Sequence, residues 1–267
     1  MATEEVFVDR LGRAVLSFFE NAGALTVFAS RAMVEAVRPP YEFREILRHL
    51  HQFGLRSTPL IVTSGFAIGV VLSMHTRASL ERFGAEAMIP AGLAIALIRE
   101  TGPLTAGLLV SGRVGAGIGA ELGAMRVTEQ IDALEATAVN AFKYLVVTRV
   151  LASMIAMPLL TTMMNFSGMV GGYVSEAVLS DMSWQLYFER SFTYIGFSDL
   201  IPATLKTVVF GFLIAIVGGY LGFKTSGGTE GVGNASTRSV VLASILIILS
   251  NVILVRIIFF FYPQAPA

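Results

Sequence analysis

Apolar residues fall into five long windows divided by short polar segments, at roughly 57–76, 87–124, 144–173, 200–223 and 239–262. A membrane-crossing helix needs about 20 mostly apolar residues, so the pattern predicts five crossings. Ahead of them the pattern is amphipathic. Over residues 6–38, Phe7, Leu11, Val15, Phe18 and Phe19 recur at helical spacing, with Asp9, Arg10, Arg13, Glu20 and Asn21 on the other face. Such a helix tends to lie in the membrane interface, and Pro39-Pro40 ends it. A second stretch, EFREILRHLHQF, sets Phe43, Ile46, Leu47, Leu50 and Phe53 on one side. It fits an interfacial helix or a surface helix packed on the body. The segment 174–199 carries Trp184, Tyr187, Phe188, Phe192 and Tyr194 among charges. It suits an interfacial helix or hairpin, or a docking surface.

The second window is too long for a straight crossing. At 1.5 Å per residue its roughly 37 residues would reach ~55 Å, against a hydrocarbon core of ~30 Å. RETGP offers the interruption. Pro103 cannot donate to the carbonyl of Arg99, and Gly102 weakens the same turn. Arg99 and Glu100 sit at that kink. Charges at membrane depth are costly and turn toward an interior or a wet cavity. Sequence neighbours do not face each other on a helix, so each wants a partner on another helix or another subunit. A structural ion pair and a functional site are both consistent with this. Beyond the kink, Gly107, Ser111, Gly115, Gly119 and Gly123 recur every four residues, a small-residue stripe for close helix packing.

Between the second and third windows lies MRVTEQIDALEA, too polar to cross a membrane and too short to be a domain. It reads as a helix capped by Thr128, with Val127, Ile131, Leu134 and Ala138 on one stripe. Glu129, Asp132 and Glu135 form an acidic stripe. That combination suits insertion into a groove on a partner, with charge setting register; a solvated loop helix is the plainer reading.

Composition sharpens the picture. Of 267 residues 54% are hydrophobic and only 14% charged, with mean hydropathy +0.71. A soluble domain carries about 25% charge, so the expectation is an all-α, multi-pass membrane protein of one domain, 1–267. Its parts would be an amphipathic N-terminal region at 1–56, a five-span body at 57–262 and an outer loop at 174–199. The acidic start lacks the basic region of a secretory signal, so the first span is expected to carry targeting. Formal net charge is zero, which gives no argument for nucleic acid. Lys and Arg in the flanks and short loops split twelve to three, with only Arg77, Arg82 and Arg190 on the sparse side. By the positive-inside bias the N-terminus and MRVTEQIDALEA are cytoplasmic, and the C-terminus lies outside.

Catalytic patterns are missing. There is no cysteine, hence no thiolate metal site or cysteine nucleophile. GGYLGFKTSGG has Lys224 and Thr225, but no glycine directly before the lysine, and it follows a span; it is not a phosphate loop. His49, His51 and His75 are not spaced with carboxylates as a metal site, and HLH reads as a solvated face. A transport body that is not an enzyme, with no bound cofactor or metal of its own, is the expectation.

RETGPLTAGLLVSGRVGAGIGAELGAMRVTEQIDALEA closely resembles the signature of the MlaE/YrbE family, permease subunits of Mce-type lipid ABC transporters, and GVGNASTRSVV at 231–241 resembles a second motif of that family. Asn234 stands where the family often has a basic residue. The resemblance implies a homodimer of five-span subunits in the bacterial inner membrane, bound to a cytoplasmic ABC ATPase and often a STAS-domain protein. It implies a ring of periplasmic Mce-domain proteins outside and phospholipid or a related lipid as cargo. ATP and Mg would act on the ATPase alone. Residues 128–138 would be the coupling helix, with Glu129, Gln130, Ile131, Asp132, Leu134 and Glu135 meeting the ATPase. Leu72, Leu80 and Phe83, with Arg99, Glu100 and Thr101, would wall the lipid path. An ion-driven secondary transporter, with Glu100 as proton site, and a non-transporting membrane anchor for a periplasmic protein are the alternatives.

Overall fold

This computed structural model describes residues 2–261, all helical or in short turns. Of residues 2–11, 13–15 and 18 only the backbone is described, so the expected faces at Phe7, Asp9, Arg10, Leu11, Arg13, Val15 and Phe18 lie outside the described side chains. The order is α1 (Ala2–Val37), α2 (Phe43–Gly54), α3 (Thr58–Leu80), α4 (Ile89–Ala96), α5 (Gly102–Val110), α6 (Ala116–Val127), α7 (Gln130–Ala136), α8 (Thr148–Ser180), α9 (Trp184–Phe192), α10 (Phe197–Phe223) and α11 (Gly228–Phe261). Among the described residues, five helical segments are long and apolar enough to cross a membrane: Phe43–Phe83, Glu86–Val127, Lys143–Ser180, Phe197–Phe223 and Gly228–Phe261. They run back and forth, with α7 at one end of the bundle and α9 at the other.

The helices exceed the apolar windows because polar residues cap and pair inside the bundle. Helix α8 continues to Ser180, so most of the segment expected as an outer loop is helix, and α11 begins at Gly228 rather than near 239. The aromatics of 184–192 form α9, started by Ser183, whose hydroxyl accepts from Leu186 N. Tyr187 is fully buried, and Trp184 stands edge-on to Tyr173 at 4.7 Å between ring centres.

The second crossing is one continuous helical path of α4, α5 and α6. The kink takes the form of a π turn at Leu97–Thr101, and a second π turn follows at Ser111–Gly115. Such turns widen the helix by one residue and recur at functional sites. The small-residue stripe faces α10 and α11 of the same subunit. Ser111 Oγ lies 2.9 Å from Ser244 Oγ, and a side chain on Gly119 would meet Ser239 and the carbonyl of Ala235. Helices α3 and α8 approach still more closely. A β-carbon on Gly69 would fall on the carbonyl of Gly168.

At the α9 end a buried cluster ties the same two helices. Glu176, with no exposed surface, accepts from Ser73 Oγ at 2.8 Å and pairs with Arg77. Arg77 thus belongs to the packed interior and not to a solvated loop. Removing one partner of a buried pair costs about 3–5 kcal/mol, because the other charge is stranded. Glu176→Leu should therefore lower the unfolding temperature in detergent, and Glu176→Leu with Arg77→Met should recover most of it. Equal melting of all three proteins would contradict the clamp.

Two local expectations change. Thr128 is not the cap of α7: its hydroxyl donates to Ala124 O at 2.8 Å and closes the last turn of α6. Glu129, left-handed at φ 58°, makes the reversal and precedes α7. The chain turns within two residues, so the threonine is used by the helix before it. His49 is buried, stacked on Phe53 at 5.5 Å, while His51 is exposed. Helix α2 packs on α8 through Ile46, His49, Leu50 and Phe53, and Phe43 and Leu47 of the expected stripe stay exposed. The helical rotation thus divides that stripe between body and surroundings.

Candidate functional site

The first π turn holds a polar network inside the apolar bundle. Leu97, Ile98 and Pro103 are buried around it, while Arg99, Glu100 and Thr101 are half-buried. In an α-helix the carbonyl of Arg99 would accept from residue 103, which is proline and has no N–H. Lys206 Nζ of α10 donates to that carbonyl at 2.7 Å, and to Glu100 Oε2 at 2.8 Å. Asn251 of α11 donates its amide to Glu100 Oε1. Arg99 turns the other way, to Asp199 near the start of α10, at 2.7 Å.

The result is two ion pairs, neutral in sum, joining the kinked helix to its neighbours. Their exposure differs. The Lys206 side chain is 1% exposed, Glu100 44%. The lysine is a fixed interior charge, and the carboxylate opens onto the outside of the subunit. Gly102 permits this geometry, since a β-carbon there would strike Asn165 Oδ1 of α8, a buried acceptor with no partner. The side chains that the network exposes are Arg99 and Glu100, one cation and one anion within an apolar span.

Leu72, Leu80 and Phe83 take no part in this polar network. The first two are half-buried on α3, and Phe83, 83% exposed, lies in the turn after it. The polar partners of Arg99 and Glu100 come from α10 and α11, not from α3. Sequence reasoning named Arg99 and Glu100 but missed Asp199, Lys206 and Asn251. The signal was present: Lys206 is a lone cation inside an apolar span.

At the opposite end, α7 presents one face outward. Ile131, 1% exposed, is part of the chain's own core, and Leu134 is half-buried against it. Glu129, Gln130, Asp132 and Glu135 are exposed, and Asp132 pairs with Arg126 of α6. Ala138, expected on the apolar stripe, lies past the end of α7 and is exposed. Nearby, Arg149 is buried in the body and pairs with Glu121 at 2.9 Å, and Arg113 in the second π turn donates to Ser57 Oγ at 2.8 Å.

A kinked charged helix followed directly by a short outward helix is the arrangement encoded by the longest motif in the sequence, and comparison with known proteins agrees. The family model described as "Permease MlaE" matches residues 46–257. The chain belongs to the MlaE permease family. This permease is 37% identical over 251 residues to a probable ABC transporter permease protein of Rickettsia bellii, covering 94% of this chain and 97% of the relative. It is 30% identical over 258 residues to the intermembrane phospholipid transport system permease protein MlaE of Haemophilus influenzae, covering 95% and 97%. A probable ABC transporter permease protein of Synechocystis is 32% identical over 253 residues, covering 94% and 96%. The permease is thus a multi-pass membrane protein and the permease subunit type of an ABC transporter.

Proposed function

We propose that this permease moves phospholipid or a related lipid between the inner membrane and a periplasmic Mce-domain partner, driven by a separate cytoplasmic ATPase. The observation that carries the reading is the half-open charged turn. Arg99 and Glu100 offer a headgroup one charge of each sign within an apolar span, and Lys206 holds Glu100 in place from the interior. Kinship to a phospholipid permease of Haemophilus influenzae supports the cargo. Thr101 shares the turn, and Leu72, Leu80 and Phe83 supply apolar wall on α3 and beyond. The α7 end is the cytoplasmic one in this reading, as the Lys/Arg bias requires. Helix α11 supports a homodimer, because Leu249, Val252 and Ile253 leave its later half uncovered. Glu100 as a proton site is less favoured, since Lys206 and Asn251 already engage both oxygens.

Coupling to the ATPase would run through the exposed face of α7. Glu129, Gln130, Asp132 and Glu135 make the contact, while Ile131 and Leu134 fasten α7 to the spans. ATP and Mg act on the ATPase, and a STAS-domain protein completes the complex. One experiment with two arms tests the reading. Photo-crosslinkers at positions 72, 80, 99 and 100 should capture lipid in native membranes, in a manner that depends on ATPase activity. Glu129→Lys with Asp132→Lys should lose ATPase co-purification and stimulation while the protein stays folded. Capture only at lipid-facing control positions, or an unchanged ATPase complex in the variant, would overturn it.

A further inference from the structure

A polar cleft of about 320 Å³ lies at the α7 end, between α1, the end of α10 and the start of α11. It is far from the charged turn. Its wall includes Asn21, Tyr220, Lys224, Ser226, Asn234 and Arg238. Helix α1 is docked beside it by Phe28, whose ring packs edge-on against Phe142, Tyr220 and Phe223. Lys224 Nζ donates to Tyr220 Oη at 2.8 Å and to Asn21 Oδ1 at 3.3 Å, and lies 5.0 Å from the centre of the Tyr220 ring. All of these acceptors are neutral. Among the described residues neither Lys224 nor Arg238 has a carboxylate within 4.0 Å. The cleft therefore joins two uncompensated cations to amide and hydroxyl groups, without an acid on its wall. Its size is at the lower end of the roughly 300–1,000 Å³ of small-molecule sites.

The surface below Arg238 is apolar. Val241 and Ile245, one and two turns further along α11, are exposed on the side that Arg238 begins. Basic pockets between helices at the cytoplasmic face select anionic lipid headgroups, and this geometry has both halves of such a site. We propose that Lys224 and Arg238 bind the phosphate of an anionic phospholipid of the inner leaflet, its tails running along Val241 and Ile245, so that the lipid fastens α1 to the bundle. The leaflet assignment rests on the orientation proposed above; the site itself does not depend on the transported cargo.

The test uses the full-length permease purified in detergent, with phosphatidylglycerol or phosphatidylcholine added and bound lipid read by native mass spectrometry. Wild type should retain phosphatidylglycerol over phosphatidylcholine by about tenfold or more, as two basic side chains at a membrane surface imply. Lys224→Gln with Arg238→Gln should abolish the preference, and Lys224→Arg with Arg238→Lys should keep it. Unfolding temperatures in phosphatidylcholine should be alike for all three proteins. A preference that survives in the glutamine variant, or is absent in wild type, overturns the site. Displacement of the lipid by millimolar inorganic phosphate overturns the lipid as its occupant. Lipid capture at positions 99 and 100 should be unaffected by the glutamine variant, so the two proposals fail separately.

Discussion

Lys206→Met is expected to abolish lipid transport and to lower the unfolding temperature. The ammonium group is buried and has two partners, Glu100 Oε2 and the carbonyl of Arg99. Removing it strands a carboxylate and leaves a carbonyl that proline cannot serve. The carboxylate is half-exposed and keeps Asn251, so water screens part of the loss and the cost should be roughly 1–3 kcal/mol, mostly from the unserved carbonyl. Glu100→Gln should cost at least as much, because it leaves the buried Lys206 ammonium without its counter-charge, although the amide keeps hydrogen-bonding capacity toward Lys206 and Asn251. The double variant Glu100→Gln with Lys206→Met should regain most of the lost stability without regaining transport. That split, read from thermal unfolding and lipid transport on the same preparations, separates a clamp from a headgroup site. If the double variant transports lipid, the pair serves only to hold the bundle.

Gly69→Val should prevent a stable bundle from forming. Its β-carbon would fall on the carbonyl of Gly168, and both atoms belong to helix backbones that cannot turn aside. Overpacking in cores costs roughly 1–3 kcal/mol when side chains can move; here the helices themselves must part, so the loss should lie at or beyond the upper end. Gly23→Ala is the matched control, since nothing lies within 4 Å of that position. Size-exclusion profiles and thermal unfolding should show Gly23→Ala like wild type and Gly69→Val aggregated or melting far lower. A normal profile for Gly69→Val would mean that α3 and α8 do not approach so closely.

The long-range pattern was legible because apolarity is a sum over many residues. Five spans and the break at Pro103 follow from runs of about twenty residues or from a proline. What stayed hidden was pairing. Arg99 and Glu100 announce that they need partners, but Asp199, Lys206 and Asn251 lie roughly 100 to 150 positions later and reach them only through the fold. Glu176 was hidden for the same reason: it looks like a loop acid until Arg77 and Ser73 are brought beside it. The face of α7 was read half correctly in pattern and not in direction. Periodicity grouped Ile131 with Leu134, but whether that stripe meets this chain or another depends on the angle at Glu129, where the backbone turns left-handed.

The two π turns have a mechanical consequence. They divide the second crossing into three rods, α4, α5 and α6, joined end to end without a loop. Each wider turn adds a residue, and one residue is a rotation of about 100° around a helix axis. Arg99 and Arg113 each occupy such a turn, which rotates the rod beyond each of them relative to an unbroken helix. In the proposed coupling, a push at α7 reaches Arg113 and Arg99 along α6 and α5, with no loop in the path. The spine of the permease thus bears its charged residues at the two places where its helical register shifts.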